Sequence, residues 1–287
     1  MRYNADGELV WAKPFEKLGD SEAGNNSIRF DALQLSAGGI YAVGRFDGLV
    51  DFEPGGNADS IGDARAFDLG KAFVARFDLS TGALNWLYDV SATSASGQTD
   101  YYVGHDLAVD GNGMAYFSFD SSSMNTSLAS NNISVTFAGN EFTNSEGFFQ
   151  QAWVAKINAS GTIERIQRFG SYDALHNFGA GAGLEIAVDD SSPNEADWRL
   201  IVAAAAAGEV YLGDAAALSA ETRIGTPAPN AAADQGFYDA DLLLMSMTTD
   251  GELDWFRFDG GAGRQSAEDV FVNGNGDIYV DAGSFFW

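Results

Sequence analysis

Asn273, Asn275 and Asp277 stand two residues apart, the spacing that opens an oxygen-ligand calcium loop. Alternate residues of such a loop can aim their side chains at one ion. A loop of that kind needs a later bidentate acid, and Asp281 is the nearest on the C-terminal side. Asp110 and Asn112 echo the spacing. The plainer reading of both is a Gly-closed hairpin turn, for which Asn, Asp and Gly are the usual residues. Asp47, Asp51, Glu53, Asp59 and Asp63 form a looser acidic stretch. It reads as a solvated loop, with a shared Ca²⁺ site as the functional alternative.

Catalytic groupings are thin. The two histidines, His105 and His176, read as a strand-end and a loop histidine, and no nucleophile elbow accompanies them. Glu185 with Asp189 and Glu268 with Asp269 are the nearest paired carboxylates. A glycosidase needs two acids at one point in space, but these recur at a repeat position, which favours a scaffold role. A sialidase-type box places Gly two residues after Asp, whereas here Gly follows directly at Asp6-Gly7 and Asp250-Gly251. Without cysteine there is no disulfide, thiolate zinc site or thiol nucleophile.

The elements that must position these residues come from a long internal repeat. A short apolar strand, a Gly-closed turn and an aromatic strand recur around Gly7, Gly82, Gly161 and Gly251. The aromatic is Trp11, Trp86 and Trp255 in three copies, and Arg165 replaces it in the third. In the second copy Ala72–Phe77 alternates as a strand, Asp78–Gly82 turns, and Ala83–Val90 follows. His105–Val109 and Met114–Phe119 complete four strands around the Asp110–Gly113 turn. The run Ala203–Ala207 has helical propensity, yet its place in the repeat makes it a strand.

Four antiparallel strands per unit, in tandem, are the blade pattern of a β-propeller. The expected fold is therefore all-β, a single domain over 1–287, with repeat units 1–71, 72–151, 152–240 and 241–287. The last blade is expected to be shared between the termini, with Asp277–Phe285 and Met1–Leu35 meeting to remove the open edges. The competing reading is a fragment of a larger ring. Ser284–Trp287 stops inside an apolar strand pattern, which favours a slice of a longer protein. Unit length grows along the chain through insertions at Phe46–Gly70, Asp120–Gln150 and Asp214–Tyr238, which should decorate one face.

Composition bounds the partners. A formal charge of -26 repels nucleic-acid phosphates and anionic membranes, and could attract Ca²⁺ or basic partners. The longest apolar run, Leu200–Gly208, is far shorter than the roughly 18 residues a membrane-spanning helix needs. No leader is visible ahead of the first repeat.

Gly44–Gly55, Ala72–Asp78 with Gly82 and Trp86, and Leu107–Gly113 together resemble the bacterial SBBP-type β-propeller repeat. The likeness runs over nearly the whole chain in degenerate copies. It implies a secreted or surface-attached protein whose propeller binds or displays protein or glycan partners without catalysis. Asp78–Trp86 is also similar to the tryptophan-docking repeat of quinoprotein dehydrogenases, in which a Trp packs between blades. The expected function is thus a non-enzymatic extracellular or cell-surface scaffold. The alternative is a propeller enzyme, polysaccharide-degrading or quinoprotein-like, acting at the central channel.

Overall fold

The computed structural model describes residues 1–18, 28–36, 38–46, 49–53, 60–61, 71–94, 101–122, 133–138, 140–143, 150–171, 184–206, 210–214, 222–224, 240–260 and 264–285. Most of these are strand, and no α-helix occurs among them. In chain order the strands are β1 (Arg2–Tyr3), β2 (Leu9–Trp11), β3 (Glu16–Leu18), β4 (Ile28–Ser36), β5 (Gly39–Phe46), β6 (Leu49–Asp51), β7 (Ser60–Ile61) and β8 (Lys71–Asp78). They continue with β9 (Leu84–Ser94), β10 (Tyr101–Val109), β11 (Ala115–Ser122), β12 (Ile133–Phe137), β13 (Asn140–Thr143), β14 (Gln150–Ile157), β15 (Ile163–Ser171) and β16 (Leu184–Asp189). The remainder are β17 (Arg199–Ala206), β18 (Val210–Asp214), β19 (Thr222–Ile224), β20 (Asp241–Thr248), β21 (Leu253–Asp259), β22 (Arg264–Val272) and β23 (Ile278–Phe285).

Three antiparallel meanders of four strands dominate: β4-β5-β8-β9, β10-β11-β14-β15 and β16-β17-β20-β21. β22-β23 and β1-β2 are two-stranded sheets. This corrects the grouping read from the repeat. Ala72–Phe77 and Ala83–Val90 are the last two strands of one sheet, whereas His105–Val109 and Met114–Phe119 open the next. A tandem repeat looks the same from any starting strand, so periodicity alone could not choose the sheet boundary. Ile28–Ser36 likewise pairs with Gly39–Phe46 in the first meander, so it is not part of a blade shared between the termini.

Successive sheets stack through their first strands: β10 packs on β4 and β5, β16 on β10 and β11, and β22 on β16 and β17. Each central sheet therefore buries both faces. Tyr41, Val43, Val74 and Trp86 meet Leu107, Val109 and Phe117 across the first junction. Tyr116, Ala152 and Val154 meet Ile186, Leu200 and Val202 across the second. Burial on both sides turns alternating strands into continuous apolar runs. Ala72–Ala75 and Leu200–Ala206 are buried at every position. The alanine run is a strand buried on both faces, Ala204 and Ala206 towards the second sheet and Ala203 towards β22.

The insertions do more than decorate. β12, from the second insertion, pairs with β9, and β18, which ends where the third begins, pairs with β15 and with β19 from within that insertion, so each hairpin extends the last strand of the preceding sheet. This converts the first two meanders into six-stranded sheets and covers an otherwise free edge. β6, from the first insertion, pairs with β3 and β7.

Candidate functional site

The chain places its turns and its long connections at opposite ends of the sheets. β4 joins β5 through Gly38, and β8 joins β9 through Gly82, at the same end, where the Leu79 amide donates to the Gly38 carbonyl at 2.9 Å. Gly7, Gly113, Gly161, Gly251 and Gly276 close the corresponding turns, all with φ between 79 and 90°. A residue with a Cβ is strained in that region, which explains the recurrence of glycine. β5, β11 and β17, from which the insertions continue, finish at the other end.

The candidate calcium turn belongs to the tight-turn end. Asn273 Oδ1 accepts the backbone amides of Asn275 and Asp277 at 2.9 and 3.0 Å. Its Nδ2 donates to Asp277 Oδ2 at 2.9 Å. The three residues are thus brought together, with their polar atoms directed at the turn itself. The same device recurs. Asn4 Oδ1 accepts from Asp6 and Glu8, and Asn158 Oδ1 accepts from Ser160 and Thr162. Asp110 Oδ1 accepts from Asn112 and Met114. The two-residue spacing that resembles a calcium loop is the geometry of an Asx-headed turn. Among the described residues no group of three or more His, Asp or Glu side chains gathers around one point.

The turn acids differ in electrostatics. Hydrogen bonds from the Ser80 hydroxyl and from Thr81 pull Asp78 down to about 2. Asp110 is raised, first by burial and then by the charge of Asp190, against the pull of the Met114 and Asn112 amides. Asp190 is close because its Oδ2 accepts the Gly111 amide at 2.9 Å, tying the third sheet to the second.

Other candidates are separated or engaged. Asp51 Oδ1 accepts the Glu53 amide, and Glu53 faces Lys13 at 3.8 Å. Asp47, Asp59, Asp63 and His176 lie outside the described residues, while the backbone of His105 lies in β10. Glu268 accepts from Ser266, and Asp189 accepts from the amide and hydroxyl of Ser191. Asp281 is exposed and pairs across the ladder with Asp269.

What the repeat builds instead is an interlock between sheets. The indole N–H of Trp11 donates to the Leu79 carbonyl at 3.4 Å, and that of Trp86 to the Ala159 carbonyl at 3.3 Å. A Cβ at Gly82 would sit 2.9 Å from the Trp11 ring, and one at Gly161 2.8 Å from Trp86. Each aromatic therefore lies on the turn glycine of the next copy. In the third copy Arg165 takes the same seat, its Cζ 2.8 Å from a Cβ at Gly251, while Gln167 Nε2 donates to the Gly251 carbonyl at 3.1 Å.

A second interlock was missed in the sequence. Tyr41 OH donates to the Gly113 carbonyl in the next sheet at 2.9 Å, fully buried. Tyr41, Tyr116 and Tyr279 each stand three residues after a turn glycine, at Gly38, Gly113 and Gly276. Of the three only Tyr41 bonds a glycine carbonyl of the next sheet, so the Gly-x-x-Tyr recurrence marked the position and not the bond.

No family model matches the chain, and no curated protein matches it in sequence.

Proposed function

We propose that the chain is a β-propeller scaffold of the SBBP-type repeat class, non-enzymatic, extracellular or cell-surface, that binds a protein or glycan through its loop-bearing end. The three meanders are complete blades, and β22-β23 with β1-β2 are the two halves of a fourth. The carrying observation is the ordered interlock: Trp11, Trp86 and Arg165 each seat on the next copy's turn glycine. Blades around an axis require one such repeated junction. Trp11 and Trp86 serve here as packing wedges between sheets. Asp110, Asp189 and Glu268, among the acids that could do chemistry, accept hydrogen bonds from turn backbone or neighbouring hydroxyls.

A panel of immobilised polysaccharides tests this reading. We expect retention of at least one glycan without release of reducing ends. Replacing residues 225–239 by a short Gly/Ser linker should weaken retention while leaving the melting midpoint in place. Catalytic release of reducing ends would overturn the scaffold reading in favour of an enzyme.

A further inference from the structure

The internal junctions define what a complete seam between blades contains, and one seam in this chain is open on both sides. At the junction of the first and second sheets, Trp86 covers Gly161, Tyr41 bonds to the Gly113 carbonyl, and Leu107 and Val109 are buried beneath. The same register can be followed to the ends of the row. Trp255 is the counterpart of Trp86, and it is 36% exposed. Tyr279 is the counterpart of Tyr41, and it is 56% exposed. On the other side, Leu33 and Leu35 occupy the positions of Leu107 and Val109, set by Gly38 and Gly113, and each is 63% exposed. A Cβ at Gly7 would meet nothing within 4 Å, unlike one at Gly82, Gly161 or Gly251.

The two half-sheets repeat this complementarity. β22-β23 is already seated on the third meander, through Ala267 and Val270 against Ala187, Ile201 and Ala203. β1-β2 is already seated on the first, through Trp11 over Gly82 and Arg2 Nη1 donating to the Leu79 carbonyl at 2.9 Å. Among the described residues β23 pairs only with β22, and β1 only with β2. One chain thus presents both the wedge half and the socket half of a seam, each exposed.

Resting on the blade reading above, we propose that a second copy of this chain docks head to tail, its Gly7 turn under Trp255 and its Leu33 and Leu35 against Tyr279. β23 of one copy then pairs antiparallel with β1 of the other, completing the split blade, and the Tyr279 hydroxyl reaches the partner's Gly38 carbonyl. The contact is heterologous, so two copies can close a ring of eight blades through two identical seams, and an unclosed contact propagates. Because each copy carries a formal charge of -26, association should strengthen as salt screens the repulsion.

The test is molar mass by light scattering across protein concentration, on the chain and two exposed-residue variants. The wild-type chain should give dimers or longer species that rise with concentration and with salt. Trp255→Ser/Tyr279→Ser and Leu33→Ser/Leu35→Ser should each weaken self-association by more than about tenfold, the effect of removing roughly 1.4 kcal/mol from an interface. Each double variant keeps one intact half, so their equimolar mixture should recover a 1:1 dimer. A wild-type chain that stays monomeric at all concentrations and salts overturns the proposal, as does a mixture that fails to pair. Gly161→Val, at the internal junction, separates the two levels of the argument. If it destabilises a monomeric chain, the interlock stands and only the second copy is refuted. If it leaves stability unchanged, the blade reading fails with it.

Discussion

Gly161→Ala isolates the interlock, because two separable costs meet at that residue. The first is conformational: Gly161 has φ of 90°, and an L side chain there costs about 1–2 kcal/mol. The second is steric. The new methyl would stand 2.8 Å from Trp86 Cδ1 and 2.9 Å from Cγ, inside any real contact distance. Trp86 is 9% exposed and packs edge-on to Tyr41, so the ring has little room to yield. Shifting it forfeits the 3.3 Å bond to the Ala159 carbonyl and some packing, about 1–3 kcal/mol as for other overpacked cores. The sum is about 2–5 kcal/mol. Gly7→Ala, in solution dilute enough to keep copies apart, carries the conformational cost alone, about 1–2 kcal/mol. Urea unfolding followed by circular dichroism measures both. A double-mutant cycle with Trp86→Ala then extracts the coupling, expected at about 1–3 kcal/mol. Equal costs for Gly161→Ala and Gly7→Ala, or no coupling to Trp86, would refute the claim that the indole and the glycine lock the sheets.

Four further outcomes follow from the turns and the second interlock. Tyr41→Phe removes a buried hydroxyl and leaves the Gly113 carbonyl without that donor, so it should destabilise by about 1–2 kcal/mol in the same urea assay. Asp110 has a raised pKa, so its ionisation opposes folding and stability drains away as pH rises through its folded value. Asp110→Asn keeps an acceptor for the Asn112 and Met114 amides, as Asn158 does in its own turn, and should raise the melting midpoint at neutral pH but not at pH about 3. Asp78 has the opposite sign: its contribution is present above the ordinary Asp value and is lost as pH falls towards about 2, so Asp78→Asn should lose its disadvantage in acid. A chelator should leave the midpoint unchanged, since Asn273 and Asp277 are bonded to each other. A fall of several degrees would return Ca²⁺ to that turn.

Much of the local structure was legible because it is set by short-range chemistry. Gly7, Gly82, Gly161 and Gly251 all carry the positive φ that their turns demand. Register within the repeat, rather than propensity, placed Ala203–Ala206 in a strand, and it is one. What stayed hidden depends on which segments meet across space. The connection between β9 and β10 passes from one sheet to the next, and a strand sequence has no mark for that. The return of β12 to β9 and of β18 to β15 was equally invisible, because each partner belongs to the preceding sheet. Asn273, Asn275 and Asp277 illustrate a different ambiguity. Oxygen atoms two residues apart can converge on an ion or on the amides of their own turn, and the backbone amides are always at hand. Trp255 was legible as a repeat aromatic, but nothing in the sequence marked it, or Leu33, Leu35 and Tyr279, as exposed. Only the buried counterparts Leu107, Val109, Trp86 and Tyr41 show what those residues are built to meet.

The central claim is that the sheets turn about an axis instead of stacking in a line. Spin labels at Thr81, Ser160 and Asp250 sit on equivalent turns of three successive sheets, and all three are exposed. Pulsed dipolar distances should give two similar neighbour spacings. For blades around an axis, the outer distance is then about 1.4 times the neighbour spacing in a four-bladed ring, rising to about 1.85 times in an eight-bladed one. The head-to-tail pair corresponds to the upper value. An outer distance equal to the sum of the two neighbour spacings would mean a straight stack, and would contradict the propeller.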